Sequence, residues 1–180
     1  DEPYLVHDLT EEDLQLFEKL YSSILVSKGN SKILLQMYFG DIRDGYERIG
    51  KLSFDGIGLD FVEGKETANL VNKYGFPKDK VLFAGLVNGK NIWRNHYEKT
   101  LQVLDGLKER GYSVVISTSC SLLHVPYTLE NETKLSEEVK KYFAFAKEKL
   151  TELAELKQIS EEADKSANAA YKKNVQLFQS

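Results

Sequence analysis

The sequence predicts an α/β chain of about four parallel βα units, together making half of a (β/α)8 TIM-type barrel. Three observations carry that prediction: four short apolar runs, segments of helical spacing between them, and the lack of a glycine-rich phosphate turn after the first run. The runs are 33–39 (ILLQMYF), 57–62 (IGLDFV), 81–87 (VLFAGLV) and 114–118 (VVIST). They are nearly continuous in apolar character rather than alternating, the pattern of strands covered on both faces in a parallel sheet. Their starts lie 24, 24 and 33 residues apart, which leaves room for one helix and two loops per unit. A closed eight-stranded barrel takes about 250 residues, so 180 residues with four strands supply half of one. An open doubly wound sheet would carry a glycine-rich turn after its first strand. Here Phe39-Gly40-Asp41-Ile42 offers one glycine and an acid where a phosphate would sit.

Taken in order, the opening Asp1-Glu2-Pro3 reads as the loop just after a strand, so a further strand is expected ahead of it. Thr10, with Asp13 three residues later, forms a capping box for a helix whose apolar face is Leu14, Phe17, Leu20, Tyr21, Ile24 and Leu25. Further helices are marked by Ile42, Tyr46 and Ile49, by Ala68, Leu70, Val71 and Tyr74 before Gly75, and by Trp93, Tyr97, Leu101, Leu104 and Leu107 before Gly111. Glycine just past a periodic run is a stop signal. Asn91 is expected to be the N-cap of the last of these helices, and Trp93 to pack in the core. A long amphipathic helix is expected over 136–157, with Val139, Phe143, Ala146, Leu150, Leu153 and Ala154 buried and its Glu and Lys in exposed pairs. A weaker helical tail follows over 160–178.

Composition narrows the function classes. A content of 42% hydrophobic and 11% aromatic residues argues for a folded chain, and a net charge of −4 with interspersed signs excludes the basic stripe that nucleic acid requires. The longest apolar runs fall far short of the roughly 20 residues a membrane span needs. The single cysteine, Cys120, forms no internal disulfide, and no signal-type segment opens the chain, so a cytoplasmic setting is expected.

Cys120 and His124 form a Cys-x3-His pair, either a nucleophile with its base or two metal ligands. A third partner is wanting, since His7 and His96 read as loop or helix surface, and loop packing is the preferred reading. Asp1, Glu2, Asp60, Asn88 and His124 lie at or just beyond strand C-termini, where barrels place their chemistry. Such residues also cap helices and satisfy loop amides. Lys65, Lys90 and Arg94 would attract carboxylates if they gathered at one rim, and are otherwise solvated surface charges. No residue is assigned a catalytic, cofactor-binding or metal-binding role.

Three stretches, FAGLVNGKNIWRN at 83–95, STSCSLLHVPYTLENET at 117–133 and the opening DEP, together with LSEEVKKYFAFAKEKL at 135–150, resemble the N-terminal domain of the cobalamin-independent methionine synthase family. The resemblance covers almost the whole chain and implies the second half of that domain's barrel. It implies a polypeptide of two related barrels that moves a methyl group from 5-methyltetrahydropteroyltriglutamate to homocysteine. In that family the C-terminal barrel holds zinc and homocysteine, and the N-terminal one helps hold the donor's polyglutamate tail. The donor-contacting basic residues of the family lie upstream of this segment and are not carried over. The His-Met-Cys zinc motif of the C-terminal barrel has its counterpart in Gln36-Met37-Tyr38, and Cys120 corresponds to that barrel's last zinc cysteine. Gln and Tyr are poor zinc ligands and one thiol holds no tetrahedral metal. The resemblance therefore implies a segment without cofactor or catalysis of its own, partnered by the remainder of the polypeptide. Alone, a half-barrel exposes two sheet edges and is expected to self-associate. Two alternatives stand: an independent thiol- or metal-dependent enzyme built on Cys120 and His124, and a folyl-polyglutamate binding module.

Overall fold

The computed structural model describes residues 1–179. After a 3-10 turn at Pro3–Val6, the chain runs through α1 (Glu11–Val26), β1 (Leu34–Gln36), α2 (Tyr46–Lys51), β2 (Gly56–Asp60), α3 (Thr67–Tyr74), β3 (Val81–Val87), α4 (Tyr97–Glu109) and β4 (Ser113–Thr118). The capping box closes α1: the Asp13 amide donates to Thr10 Oγ1 at 3.2 Å and the Thr10 amide to Asp13 Oδ2 at 2.8 Å. Helices α3 and α4 stop at Gly75 and Gly111, whose φ values of 75° and 78° suit residues without a Cβ. The four strands form one sheet in chain order, all parallel. This is the α/β half-barrel architecture.

Two strands are shorter than the apolar runs suggest. β1 stops at Gln36 rather than Phe39 because Phe39 takes a left-handed backbone, φ 67°, and turns the chain out of the sheet. β2 stops at Asp60 rather than Val62 because the Asp60 carboxylate takes the amides of Val62 and Glu63. A side-chain acceptor thus replaces the next rung of the ladder.

Strand register sorts the sheet into two unlike faces. Leu35, Ile57, Leu82 and Val114 share one row, and Leu59, Ala84 and Ile116 the next, all on the side where the helices pack. Leu34, Gly56, Val81 and Ser113, then Gln36, Gly58, Phe83 and Val115, lie on the other side. That side is open, with Leu34 and Val115 each 40% exposed. Gly56 and Gly58 let neighbouring side chains recline over β2: a Cβ at 56 would sit 3.0 Å from the Phe83 ring, and one at 58 would collide with the Gln36 amide. The continuous apolar runs therefore reflect two coverings, helices on one side and, in a closed barrel, an interior on the other.

The helix expected over 136–157 is two helices, α5 (Glu137–Lys140) and α6 (Ala146–Glu161). Residues 141–145 leave the helix to pair with the segment before α4. The Arg94 amide donates to Tyr142 O at 2.9 Å and the Ala144 amide to Ile92 O at 2.8 Å, with Trp93 and Phe143 opposed as an antiparallel bridge. The buried face of α6 also differs from the expected one. Leu150 is exposed, while Lys149, Glu152, Leu156 and Ile159 are buried. Lys149 Nζ donates to Trp93 O at 3.1 Å and Glu152 Oε1 accepts from the Asn95 amide at 2.9 Å, so these charges serve buried backbone rather than surface pairs. The tail expected over 160–178 is broken as well. α6 runs on to Glu161, a 3-10 turn occupies Lys165–Ala167, and α7 spans Ala169–Gln179.

The two-faced sheet has a measurable consequence. Leu82→Ala, at a position with no exposure under the helices, should cost about 2–5 kcal/mol in urea unfolding. Leu34→Ala on the open face should cost roughly 1 kcal/mol or less; equal losses at both positions would contradict the assignment.

Candidate functional site at the strand ends

The residues beyond the C-terminal ends of the strands are organised by one buried carboxylate. Asp60 Oδ2 accepts from the Phe39 amide at 2.9 Å, and Oδ1 from the amides of Val62 at 2.8 Å and Glu63 at 2.9 Å. Its backbone oxygen accepts from the Thr67 hydroxyl at 2.7 Å. Burial pushes the Asp60 carboxyl above its ordinary value, outweighing the amide donors that pull it down. Asp60 thereby ties the exits of β1 and β2 together and holds Phe39 in its left-handed turn.

Phe39 is the centre of a small exposed cluster. The edge of His124 meets its ring at 5.5 Å, Tyr38 lies 5.9 Å away, and Lys90 Nζ stands 5.2 Å from the ring centroid. Lys90 also pairs with Glu63 Oε1 at 3.0 Å. The turn that presents Lys90 is set by Asn88, whose Oδ1 accepts from the amides of Lys90 at 2.9 Å and Asn91 at 3.0 Å. Asn91 is not the expected helix cap. It receives the Trp93 amide at 3.2 Å, and α4 begins only at Tyr97. Nor is Trp93 a core residue: it is 56% exposed, tilted against Phe143 at 5.1 Å.

Cys120 and His124 are not joined. Cys120 is buried, packed against Gly89, its Sγ 3.7 Å from Ser121 O. Burial, followed by the charges of Asp60 and Glu63, pushes its thiol up from the ordinary value, the reverse of what activates a nucleophile. His124 is exposed and edge-on to Phe39, with no hydrogen bond to its ring among the described residues. His7 is exposed beside Tyr4, and His96 stacks on Phe178 at 4.3 Å. Glu2 accepts the Tyr21 hydroxyl at 2.8 Å, and its amide donates to Gln36 O on the rim of β1; burial and this carboxylate push the Tyr21 phenol up to about 12. Asp1 and Lys65 are exposed. Arg94 stands apart from Lys90, its guanidinium bound to the backbone oxygens of Lys141 and Phe143 at 2.9 and 3.2 Å, so the three cations form no single rim.

The residues at this end do not fit a zinc ion. The Gln36 amide donates to Met37 O at 3.3 Å, and burial pushes the Tyr38 phenol and the Cys120 thiol up, leaving neutral, poorly coordinating groups. Among the described residues no group of three His, Cys, Asp or Glu is placed to hold a metal. Phe39 and Glu63 were not legible as site residues. A left-handed aromatic carries no sequence signal, and the Glu63–Lys90 pair spans two loops.

Parallel βα units with their polar residues gathered beyond the strand ends define a barrel-type domain segment. Residues 1–112 match the model of the family described as cobalamin-independent synthase, N-terminal domain, and the chain belongs to that family. Over 178 residues it is 60% identical to a 5-methyltetrahydropteroyltriglutamate–homocysteine methyltransferase of Lactococcus lactis subsp. cremoris (strain SK11). It is 52% identical over 178 residues to the protein of that name from Campylobacter jejuni subsp. jejuni serotype O:23/36 (strain 81-176). Each match covers 99% of this chain but 23% of the relative, so the chain spans about a quarter of the length of these curated relatives.

The role of Asp60 sets a pH dependence. With its folded pKa raised, the folded state holds the proton more tightly than the unfolded chain does. Stability owed to this group therefore falls as pH rises from the ordinary carboxylate value through the folded one. The stability gap between the native chain and Asp60→Asn should narrow over that interval in pH-resolved urea titrations. A gap that widens would show the amide donors outweighing burial.

Proposed function

We propose that this chain is the second half of the N-terminal barrel domain of a polypeptide that transfers a methyl group from 5-methyltetrahydropteroyltriglutamate to homocysteine, and that its part is structural or donor-supporting rather than catalytic. The observation that carries this reading is the 60% identity over 99% of the chain with a protein bearing that name. Thiol methylation requires a thiolate held ready for attack. Here the one thiol is buried with its pKa pushed up, and Gln36, Tyr38 and Cys120 make a poor donor set for zinc. Zinc and homocysteine accordingly belong to other parts of the polypeptide in this reading. Lys90, exposed beside Phe39, is the group best placed here to assist the donor's carboxylates. The open face of the sheet and the outer edges of β1 and β4 await the rest of the barrel, or a second copy of this chain when it is alone. No helix among the described residues is long and apolar enough to cross a membrane, and a cytoplasmic setting is part of the proposal.

The 180-residue chain assayed by itself should form no methionine from the triglutamate donor and homocysteine, and calorimetry should show no saturable donor binding near about 1 μM. Stoichiometric zinc by elemental analysis, or an activity abolished by alkylating Cys120, would overturn this reading in favour of an independent thiol or metal enzyme. Tight donor binding without turnover would overturn it in favour of a binding module.

A further inference from the structure

Separate from the Phe39 cluster, α4, α6 and α7 enclose a cleft of about 320 Å3 lined by Arg94, Tyr97, Glu155, Lys173, Asn174 and Leu177, among others. None of Phe39, Asp60, Lys90, Cys120 or His124 lines it. Its volume falls at the small end of the range for ligand pockets.

The cleft holds two opposite charges that are fixed and incompletely used. The Arg94 guanidinium is braced by Nε on Lys141 O at 2.9 Å and Nη2 on Phe143 O at 3.2 Å, which leaves Nη1 without a hydrogen-bond partner among the described residues. Glu155 Oε2 accepts the hydroxyl of buried Tyr97, which leaves Oε1 without a hydrogen-bond partner among the described residues. Arg94 and Glu155 line the same cavity yet make no ion pair with each other, because backbone carbonyls hold one and a buried phenol the other. Lys173, exposed at the same cavity, adds a second cation with no ion pair among the described residues. Lys141 is already committed to Glu138 at 2.6 Å. Asn174 is wall rather than ligand, its side-chain groups bonded to Tyr97 N at 2.9 Å and Asn95 O at 2.8 Å. Ala170 and Leu177 contribute apolar surface.

We propose that this cleft binds a small α-amino acid with an apolar side chain, its carboxylate on Arg94 Nη1 and Lys173, its ammonium on Glu155, and its side chain against Ala170 and Leu177. A zwitterion carries its two charges a few ångströms apart in the polarity that completes a separated cation and anion. A guanidinium edge suits a carboxylate, and each such charge-assisted bond is stronger than a neutral one. A plain anion would leave Glu155 as a repelling neighbour, and a plain amine would leave Arg94 so. The proposal is independent of the methyl-transfer reading.

The test is an amide NMR titration of the chain with L-leucine, with 4-methylpentanoate, which lacks the ammonium, and with 3-methylbutylamine, which lacks the carboxylate. L-Leucine should saturably shift the amides of Asn95, Tyr97 and residues 173–177 with a Kd of about 1 mM or below. Each truncated probe should bind about tenfold or more weakly, the loss of one charge-assisted contact. Glu155→Gln keeps an acceptor for the Tyr97 hydroxyl and should erase the preference for L-leucine over 4-methylpentanoate. Lys173→Ala, at an exposed position, should weaken both carboxylates while spectra elsewhere stay unchanged. No saturable shift up to about 10 mM L-leucine, equal binding of 4-methylpentanoate, or an unaltered preference in Glu155→Gln would each overturn the assignment.

Discussion

Asn95 spends four hydrogen-bonding groups on four parts of the chain. Its amide donates to Glu152 on α6, its side-chain nitrogen to Leu86 O in β3, its side-chain oxygen accepts from Thr100 in α4, and its backbone oxygen accepts from Asn174 on α7. The N-cap position of α4, His96, supplies no side-chain hydrogen bond, and the Tyr97 amide is satisfied by Asn174 Oδ1 instead. A helix start that would ordinarily be closed by its own neighbour is closed by a distant helix. The buried Glu152 follows from this arrangement. Desolvation pushes its carboxyl above the ordinary value, and its Oε2 has no partner among the described residues, a cost sustained by the bond to Asn95 and by the packing around it.

The same junction separates the molecule's two kinds of surface. Behind the sheet, α4, α6 and α7 are locked to the end of β3 and bury Leu82, Leu104, Leu156 and Ile159. In front, the sheet presents Leu34 and Phe83 over Gly56, which leaves room for them, with Val115 beside Phe83 in the register. At the strand ends, Asp60 performs for the β1 and β2 loops what Asn95 performs for the helices, collecting amides that have left regular structure. The cluster it supports, Phe39 with Lys90 and His124, is polar and aromatic without containing a paired nucleophile and base. That is why the proposed reaction rests on the family relationship rather than on the local chemistry.

Much of the fold was legible because parallel strands and their helices announce themselves locally. The apolar runs, the Thr10–Asp13 box and the glycine stops at 75 and 111 each depend on residues within one turn or strand. What was not legible depends on partners far along the chain. Residues 136–157 keep a helical rhythm through Phe143, and only the pairing of 142–144 with 92–94 breaks it, a contact across about fifty residues that periodicity cannot encode. That pairing also draws Trp93 out of the core. Lys149 and Glu152 looked like surface charges because helical spacing says where a side chain points and not what faces it. At the strand ends, Asp60 and Asn88 were placed correctly by position along the chain, whereas Phe39 needed the backbone angle to be seen.

Asn174 lies 77 residues beyond Tyr97, the amide it caps, and 79 beyond the backbone oxygen of Asn95. During synthesis the βα units that form the sheet emerge before α7, so the start of α4 stays open until Asn174 has followed them out of the ribosome. Local elements can form early, but the closing bonds are among the most non-local in the molecule, and such contacts slow folding. The late arrival of α7 thus acts as a latch on the timing of assembly. Until it closes, the ends of β3 and α4 remain exposed to the mispairing that threatens incomplete parallel sheets.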